Sequence, residues 1–481
     1  MKSPSPLSSS PVSRRSLLGI GGGIALAGVA GCQNSAQQAA STSSVAVDPS
    51  VVKAAKGLKG TQLGILAQKQ YAESANTAFK NAISAFSKAT GTTVTSSTIE
   101  GDTGDLVAKT DAAIKAGNAR NMAFVDDGRF LAEFHELGDL EDVTDIVEEL
   151  KKTYGEPSQE SQLNCVFDGK WYGIPYYFIG QGYFARKDWM SEKGIDTKEH
   201  YSFEELRDIC MEISDPSKKR FGWGMTVNRS GDANGMIEGV INAYGGAMTD
   251  NSGRKVVLNS DETIDAITFL ADIFTKDTYK KMLPPGIESW TDSSNNENWL
   301  AGIIGVINNQ FSVYADSKAT KNPVYENTHA FIGCTGPATE APLSAGASQA
   351  FVIFKGAKNA ELAKVLASYL MHGSPLLGMA RDSVGLVLPT WQKVWDSDPF
   401  YTKGDPAFTT MRDMQEAKLP HKTTTGYTFP SVPSAGRQAA LQSYVLTDMM
   451  QQILRGTSVK DAVSAAQERL IKLFEQQGIK Q

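Results

Sequence analysis

The sequence predicts an α/β protein built as two lobes around largely parallel sheets. Short apolar or β-branched runs alternate with helices of 9 to 15 residues, the grammar of βαβ units. The chain left after a cleavable leader is roughly 450 residues, more than one hydrophobic core usually supports. Helix stops at Gly91, Gly117 and Gly138 set the boundaries of the first units.

The leader comes first. Ser13-Arg14-Arg15-Ser16 is a basic n-region, and Leu17 to Gly31 is an uncharged run of 15 residues. That is short for a membrane span, which needs roughly 20 apolar residues, but it suits a signal peptide. Gly21 to Gly23 and the missing polar face speak against a globular helix. Residues 1–31 are therefore expected to be removed. Gln33 to Lys56 is rich in Ser, Ala and Gln, so 32–57 is expected to be a flexible tether.

The body begins with a strand at Thr61 to Leu66. A helix follows, its stripe formed by Ala75, Ala78, Phe79, Ala82, Ile83 and Phe86. Thr92 to Thr98 reads as a strand, Leu106 to Ile114 as a helix, Met122 to Val125 as a strand and Arg129 to Leu137 as a helix. Trp171 to Phe184 is strand-like but contains Pro175, which predicts an edge or irregular segment. Ser202 with Glu205 opens a helix through Met211. Further helices are expected at Asn234 to Tyr244 and along Ile264, Ile267, Leu270, Ile273 and Phe274. A strand at Ala350 to Phe354 leads to a helix through Leu370. Leu441, Tyr444 and Val445 share a stripe, and Ser458 caps a last helix through Phe474. No internal repeat is evident.

Charge and cysteine usage bound the function. The net charge is −6, and it falls further once Lys2, Arg14 and Arg15 leave with the signal. An acidic chain is a poor partner for nucleic acid or an anionic membrane surface. Of the four cysteines, Cys165, Cys210 and Cys334 show no disulfide framework, and whether a pair bridges stays open.

Catalytic and metal signatures are missing. His135-Glu136 lacks the second His of H-E-x-x-H, and there is no nucleophile elbow, phosphate-binding loop or C-x-x-C pair. No catalytic residue, metal or cofactor is expected. Asp250 to Gly253 and Asp292 to Asn298 read as turns. Aromatic residues do stand beside Gly and polar residues outside the helical stripes: Tyr176-Tyr177, Trp223, Tyr244 and Trp290. Aromatic faces bury the C–H face of a sugar while amides and carboxylates pair with its hydroxyls. Ordinary core packing is the competing reading for every one of these rings.

Several blocks resemble a known family. Val29-Ala30-Gly31-Cys32 resembles the lipobox of bacterial lipoprotein precursors, and the Arg pair resembles a twin-arginine signal, although Sec-type lipoproteins carry such pairs too. Asp168 to Pro175 (DGKWYGIP), Tyr183 to Trp189, Glu192 to Asp196 and Tyr201 to Leu206 resemble successive segments of family 1 extracellular solute-binding proteins, the carbohydrate-binding group of ABC importers. Phe124 to Val143, Trp299 to Asn308, Gly346 to Lys358, Leu388-Pro389-Thr390 and Gly456 to Leu470 resemble further blocks in the same order. Departures are Ile303 and Val306, where the family has Lys and Met, and Gln68 to Tyr71, where a Trp is frequent.

The resemblance implies a two-lobed periplasmic-binding-protein-like fold of type II, with a ligand cleft at a hinge. The N-lobe would be 58–182 with a return segment 346–386. The C-lobe would be 186–342 with a return segment 390–475. Phe178 to Phe184 and Pro342 to Ala347 would be the crossings. Ligand-binding positions implied at strand ends are Gln70, Tyr71, Asp127 and Gln349 on the N-lobe, Tyr176 and Tyr177 at the hinge, and Trp223 and Trp290 on the C-lobe. Asp127 is alternatively the N-cap of the Arg129 helix. The expected partners are a carbohydrate, ABC importer permease subunits, and the membrane through a lipid on Cys32. The chain would be a monomer on the extracellular face of the cytoplasmic membrane. A non-sugar ligand such as a peptide or phosphodiester, and an anchored hydrolase, are the alternatives.

Overall fold

The computed structural model describes residues 47–70, 72–99, 106–343, 345–383, 386–397 and 433–481, with Tyr401, Phe408 to Thr410 and Arg412 besides. The leader, Cys32 and Tyr71 lie outside the described residues. Within the tether expected over 32–57, the described residues include a helix. Asp48 accepts from Ser50 N at 2.7 Å and caps a helix at Pro49–Ala54. Proline suits the first helical position, where no amide bond is lost. Ala55 behind it is fully buried.

The strands are β1 (Gln62–Gln68), β2 (Thr93–Ile99), β3 (Met122–Asp126), β4 (Val166–Phe167), β5 (Lys170–Trp171), β6 (Ile174–Arg186), β7 (Tyr201–Ser202), β8 (Phe221–Trp223), β9 (Ile304–Gln310), β10 (Thr328–Phe331), β11 (Cys334–Gly336), β12 (Thr339–Leu343), β13 (Ala345–Ile353) and β14 (Leu388–Pro389). Nine of these form one mixed sheet in the order β2-β1-β3-β13-β6-β9-β8, with β10 and β14 also on β6.

The first units follow their sequence signals closely. The helix Glu73–Thr90 buries Ala75, Phe79, Ala82, Ile83 and Phe86, and Gly91 closes it at φ 70°, a left-handed turn that glycine adopts without strain. Ser202 Oγ accepts from Glu205 N at 3.0 Å at the head of the helix Phe203–Ile213.

β6 meets one half of the expectation, being irregular at Pro175. It is a central strand and not an edge, and every residue but Arg186 is buried, as in strands covered on both faces. Pro175 is tolerated because the pairing with β13 slips there: Gln349 faces Tyr177 while Ala350 faces Pro175. Its carbonyl accepts from Trp391 Nε1 at 3.0 Å.

Two local readings also change. Asp292–Leu300 is a helix rather than a turn, because Thr291 and Ser294 form a reciprocal cap at its head. The stripe at Leu441 to Val445 is broken by Tyr444 at φ 54°, which separates the helices Ala435–Gln442 and Val445–Leu454. Asp250 to Gly253 is a turn, with Gly253 N donating to Asp250 O at 2.9 Å. Cys165, Cys210 and Cys334 are buried, and no disulfide joins them. Among the described residues no helix is long and apolar enough to cross a membrane.

Candidate functional site

The sheet directs the strand ends of both halves toward one stretch of β6. β3 runs toward it and stops with Asp126 opposite Gln349 of β13, which in turn faces Tyr177. β1 is parallel to β3 and stops at the same level. From the other half, β9 runs antiparallel to β6 and stops with Gln310 opposite Gln181. β8 is parallel to β9. The carboxyl ends therefore converge on residues 177–181, four residues of strand or roughly 13 Å apart. In open α/β sheets the crevice beyond such ends is where ligands bind.

On the β9 side a cavity of about 520 Å³ opens at this point. Its wall is polar: Asp232, Asp292, Asn296, Asn309 and Gln310 are among the lining groups. Three helices begin there, Gly231–Ala243, Asp292–Leu300 and Ser312–Ala319. The Asp292 carboxylate accepts from Gly231 N at 3.2 Å and Asp232 N at 3.1 Å, which ties the second helix to the first. Asp232 Oδ2 accepts from Asn295 Nδ2 at 3.0 Å and Asn309 Nδ2 at 3.1 Å. Ser312 Oγ donates to Asn309 Oδ1 at 3.2 Å. Asp232 keeps part of its surface in the cavity, yet the protein around it strips most of its water. Burial, and then the Asp292 carboxylate, push its pKa up to about 8. Burial also raises Asp316 in the same wall. The walls thus offer fixed carboxyl and carboxamide groups to a ligand rich in hydroxyls.

A larger cavity, about 700 Å³, lies elsewhere. It sits beside His135 and Glu136 at the far end of the helix Asp127–Leu137, roughly 16 Å along that helix from the strand ends. Arg254 Nη1 reaches across it to Glu136 Oε1 at 3.5 Å. Its position away from the strand ends makes it the lesser candidate.

The residues expected at the site are placed as follows. Gln70 follows β1 and is buried; its N–H donates to Asn76 Oδ1 at 2.8 Å and its Nε2 to Gln68 O at 3.1 Å. Asp127 is the first residue of its helix. Gln349 is buried on β13 at the level of Tyr177. Tyr71 is outside the described residues. Tyr176 and Tyr177 present no surface at all. Tyr176 packs edge-on to Phe124 at 5.3 Å and against Phe351 at 4.6 Å, while Tyr177 donates its hydroxyl to Leu376 O. Trp223 is likewise sealed, with Nε1 donating to Met225 O at 2.9 Å. These three rings are core side chains here, because a strand covered on both faces leaves none of its side chains free. Trp290 is 9% exposed and lies just ahead of the helix at Asp292.

The strand-end approach brings Gln349 and Tyr177 to one level, but the polar cavity is built from residues the sequence did not single out as ligand groups: Asp232, Asn309 and Gln310. A signal existed. Ile304 to Ile307 is a buried apolar run that ends abruptly in Asn308-Asn309-Gln310, and three amides closing an apolar strand mark where hydrogen-bonding groups replace core packing.

Residues 71–371 match the family described as bacterial extracellular solute-binding protein. The fold is shared with solved structures of low sequence identity. Maltose-bound MalE3 of T. maritima is 17% identical with a TM-score of 0.71, covering 86% of this chain and 100% of that one. An ABC transporter solute-binding protein of Agrobacterium vitis with bound D-mannitol is 18% identical with a TM-score of 0.69, covering 88% and 100%. An ABC substrate-binding protein of Listeria monocytogenes in complex with cycloalternan is 15% identical with a TM-score of 0.68, covering 88% and 100%. No curated protein matches the chain in sequence.

Proposed function

Because the chain belongs to the bacterial extracellular solute-binding protein family, we propose that it captures a carbohydrate between two lobes and hands it to the permease of an ABC importer. The observation that carries this reading is the cavity at Asp232, Asn309 and Gln310, set at the converging strand ends and lined by groups that pair with hydroxyls. Sugars and polyols in the structures of the same fold support it. β6 pairs with β13 along its first half and with β9 along its second, and β13 begins opposite Gln181, so bending at residues 177–181 of β6 and at the start of β13 would open and close the cleft.

The chain acts by binding and not by turnover. Asp292 is occupied in capping the helix at Gly231, and Asp232 in accepting two amides. Neither carboxyl is presented as a free acid or base for glycoside cleavage. A lipid on Cys32 would hold the protein on the outer face of the membrane as a monomer.

A melting screen of mono- and oligosaccharides, polyols and peptides tests the binding reading. A saturable upshift with a sugar is expected, since a ligand of the folded state stabilises it by RT ln(1 + [L]/Kd). An upshift with peptides alone removes the carbohydrate reading, and release of product from a labelled glycan removes the non-enzymatic one. For the anchor, Cys32→Ala is expected to move the protein from the detergent phase to the aqueous phase.

A further inference from the structure

We infer that Arg437 and Gln438 are ligand-contacting residues, a second recognition point beyond the cavity at Asp232 that bonds to hydroxyls of the captured carbohydrate. The inference rests on the carbohydrate reading above and deepens it. Both residues lie on the helix Ala435–Gln442, and they are 2% and 4% exposed. Arg437 donates through Nη2 to Glu238 Oε1. Among the described residues its Nε and Nη1 meet no acceptor, and neither Nε2 nor Oε1 of Gln438 meets a partner. Buried side-chain polar groups are as a rule hydrogen-bonded, and leaving one unbonded costs free energy. Two neighbouring side chains in this state point to a ligand that carries both donors and acceptors, as a sugar hydroxyl does.

Their place in the fold joins them to the crevice at the strand ends. The helix Ala435–Gln442 packs against Asp127–Leu137, which begins where β3 ends. It is tied to Gly231–Ala243, which begins at the cavity, by Asn234 Nδ2 donating to Leu441 O at 3.1 Å. It therefore stands between helices that start from the two sets of strand ends. Gly436 faces Phe474 of the last helix, Arg437 faces Glu238, and Gln438, about 100° further round, turns away from that last helix. Along Gly231–Ala243, Asp232 lies in the cavity wall and Gly235 meets β6, where an added Cβ would stand 2.9 Å from Gln181 Oε1. Glu238 lies one turn further on, so its pair with Arg437 is roughly 9 Å along the helix from Asp232. The pair suits two adjacent hydroxyls, one accepting from the guanidinium and the other donating to the carboxylate. Burial raises the Glu238 pKa although Arg437 opposes it, so burial outweighs what the partner charge returns.

The test is isothermal titration of the full mature chain and two variants, Arg437→Met/Glu238→Gln and Gln438→Met, with D-glucose, D-galactose, D-mannose, maltose, cellobiose and D-mannitol. Without sugar, both variants should melt at the wild-type temperature or above it, because buried polar groups with unmet bonds cost stability. Each should bind a sugar that the wild type binds at least about tenfold more weakly. Deoxy analogues of that sugar give the readout that a purely structural role would not move. One of them should bind the wild type as weakly as the parent sugar binds the variant, and should lose nothing further in the variant. Should the double variant not fold, Gln438→Met decides alone. Wild-type affinity in a folded variant, or the same loss for every deoxy analogue in wild type and variant, overturns the inference and leaves the carbohydrate reading standing. Silence of every sugar overturns both.

Discussion

The two halves of the central sheet end their strands in different chemistry. On the β1–β3 side the approach to the hinge is packed with rings: Phe124, Tyr176, Tyr177 and Phe351 seal one another. On the β9 side the same topological position is left open, and carboxyl and carboxamide groups hold one another around a cavity. Both arrangements sit beside β6, yet one contributes cohesion and the other a surface. The contrast separates residues that pack the core beside β6 from residues that line a cavity.

Breaking the aromatic side should have the largest effect on stability. Tyr176→Ala removes a buried ring between Phe124 and Phe351 and should cost about 3–5 kcal/mol in chemical denaturation. If its cost were under 1 kcal/mol, the ring would not be the core element described here.

The polar side should show itself in pH dependence. Asp232 has an ordinary carboxylate value of 3.8 when unfolded and about 8 when folded. Between those values the folded chain holds a proton that the unfolded chain has released. Its contribution to stability is therefore full below about pH 4, declines as pH rises, and is lost by about pH 8. Asp232→Asn keeps the acceptor for Asn295 and Asn309 without the charge. It should raise stability at pH 8 by on the order of a few kcal/mol and change little at pH 4. Equal effects at both pH values would remove the assignment.

Asn309→Ala removes one of the amides on Asp232 and the acceptor of Ser312. A loss of about 1–3 kcal/mol is expected. Sugar affinity should fall with it, whereas affinity in Tyr176→Ala should follow stability alone. The smallest effect belongs to Arg254→Ala. Its pair with Glu136 is 3.5 Å long and Arg254 is largely exposed, so about 0.5 kcal/mol or less is expected. A larger loss would show that this contact, and not only β6 and β13, holds the halves together.

Much of the fold could be read from local signals because those signals act locally. The stripe from Ala75 to Phe86, the stop at Gly91, and the caps at Ser202 and Ser458 each depend on neighbours within one or two turns, and each element stands where it was expected. The family blocks carried the architecture further than periodicity could. The site was harder to read. Tyr176, Tyr177 and Trp223 have the composition of a sugar platform, but composition does not say which way a side chain points.

Three features came only from assembly in space. Pro175 belongs to a central strand because a slipped register with β13 spares its missing donor, and no local rule contains that partner. Asp232, Asp292 and Asn309 are far apart in the chain and form one wall only because β9 ends between two helix heads. The raised pKa of Asp232 follows from that meeting. Local sequence chemistry decides helices, caps and turns, since their energies are short-ranged. Which polar groups converge, and which rings are sealed, depends on long-range pairing through β6.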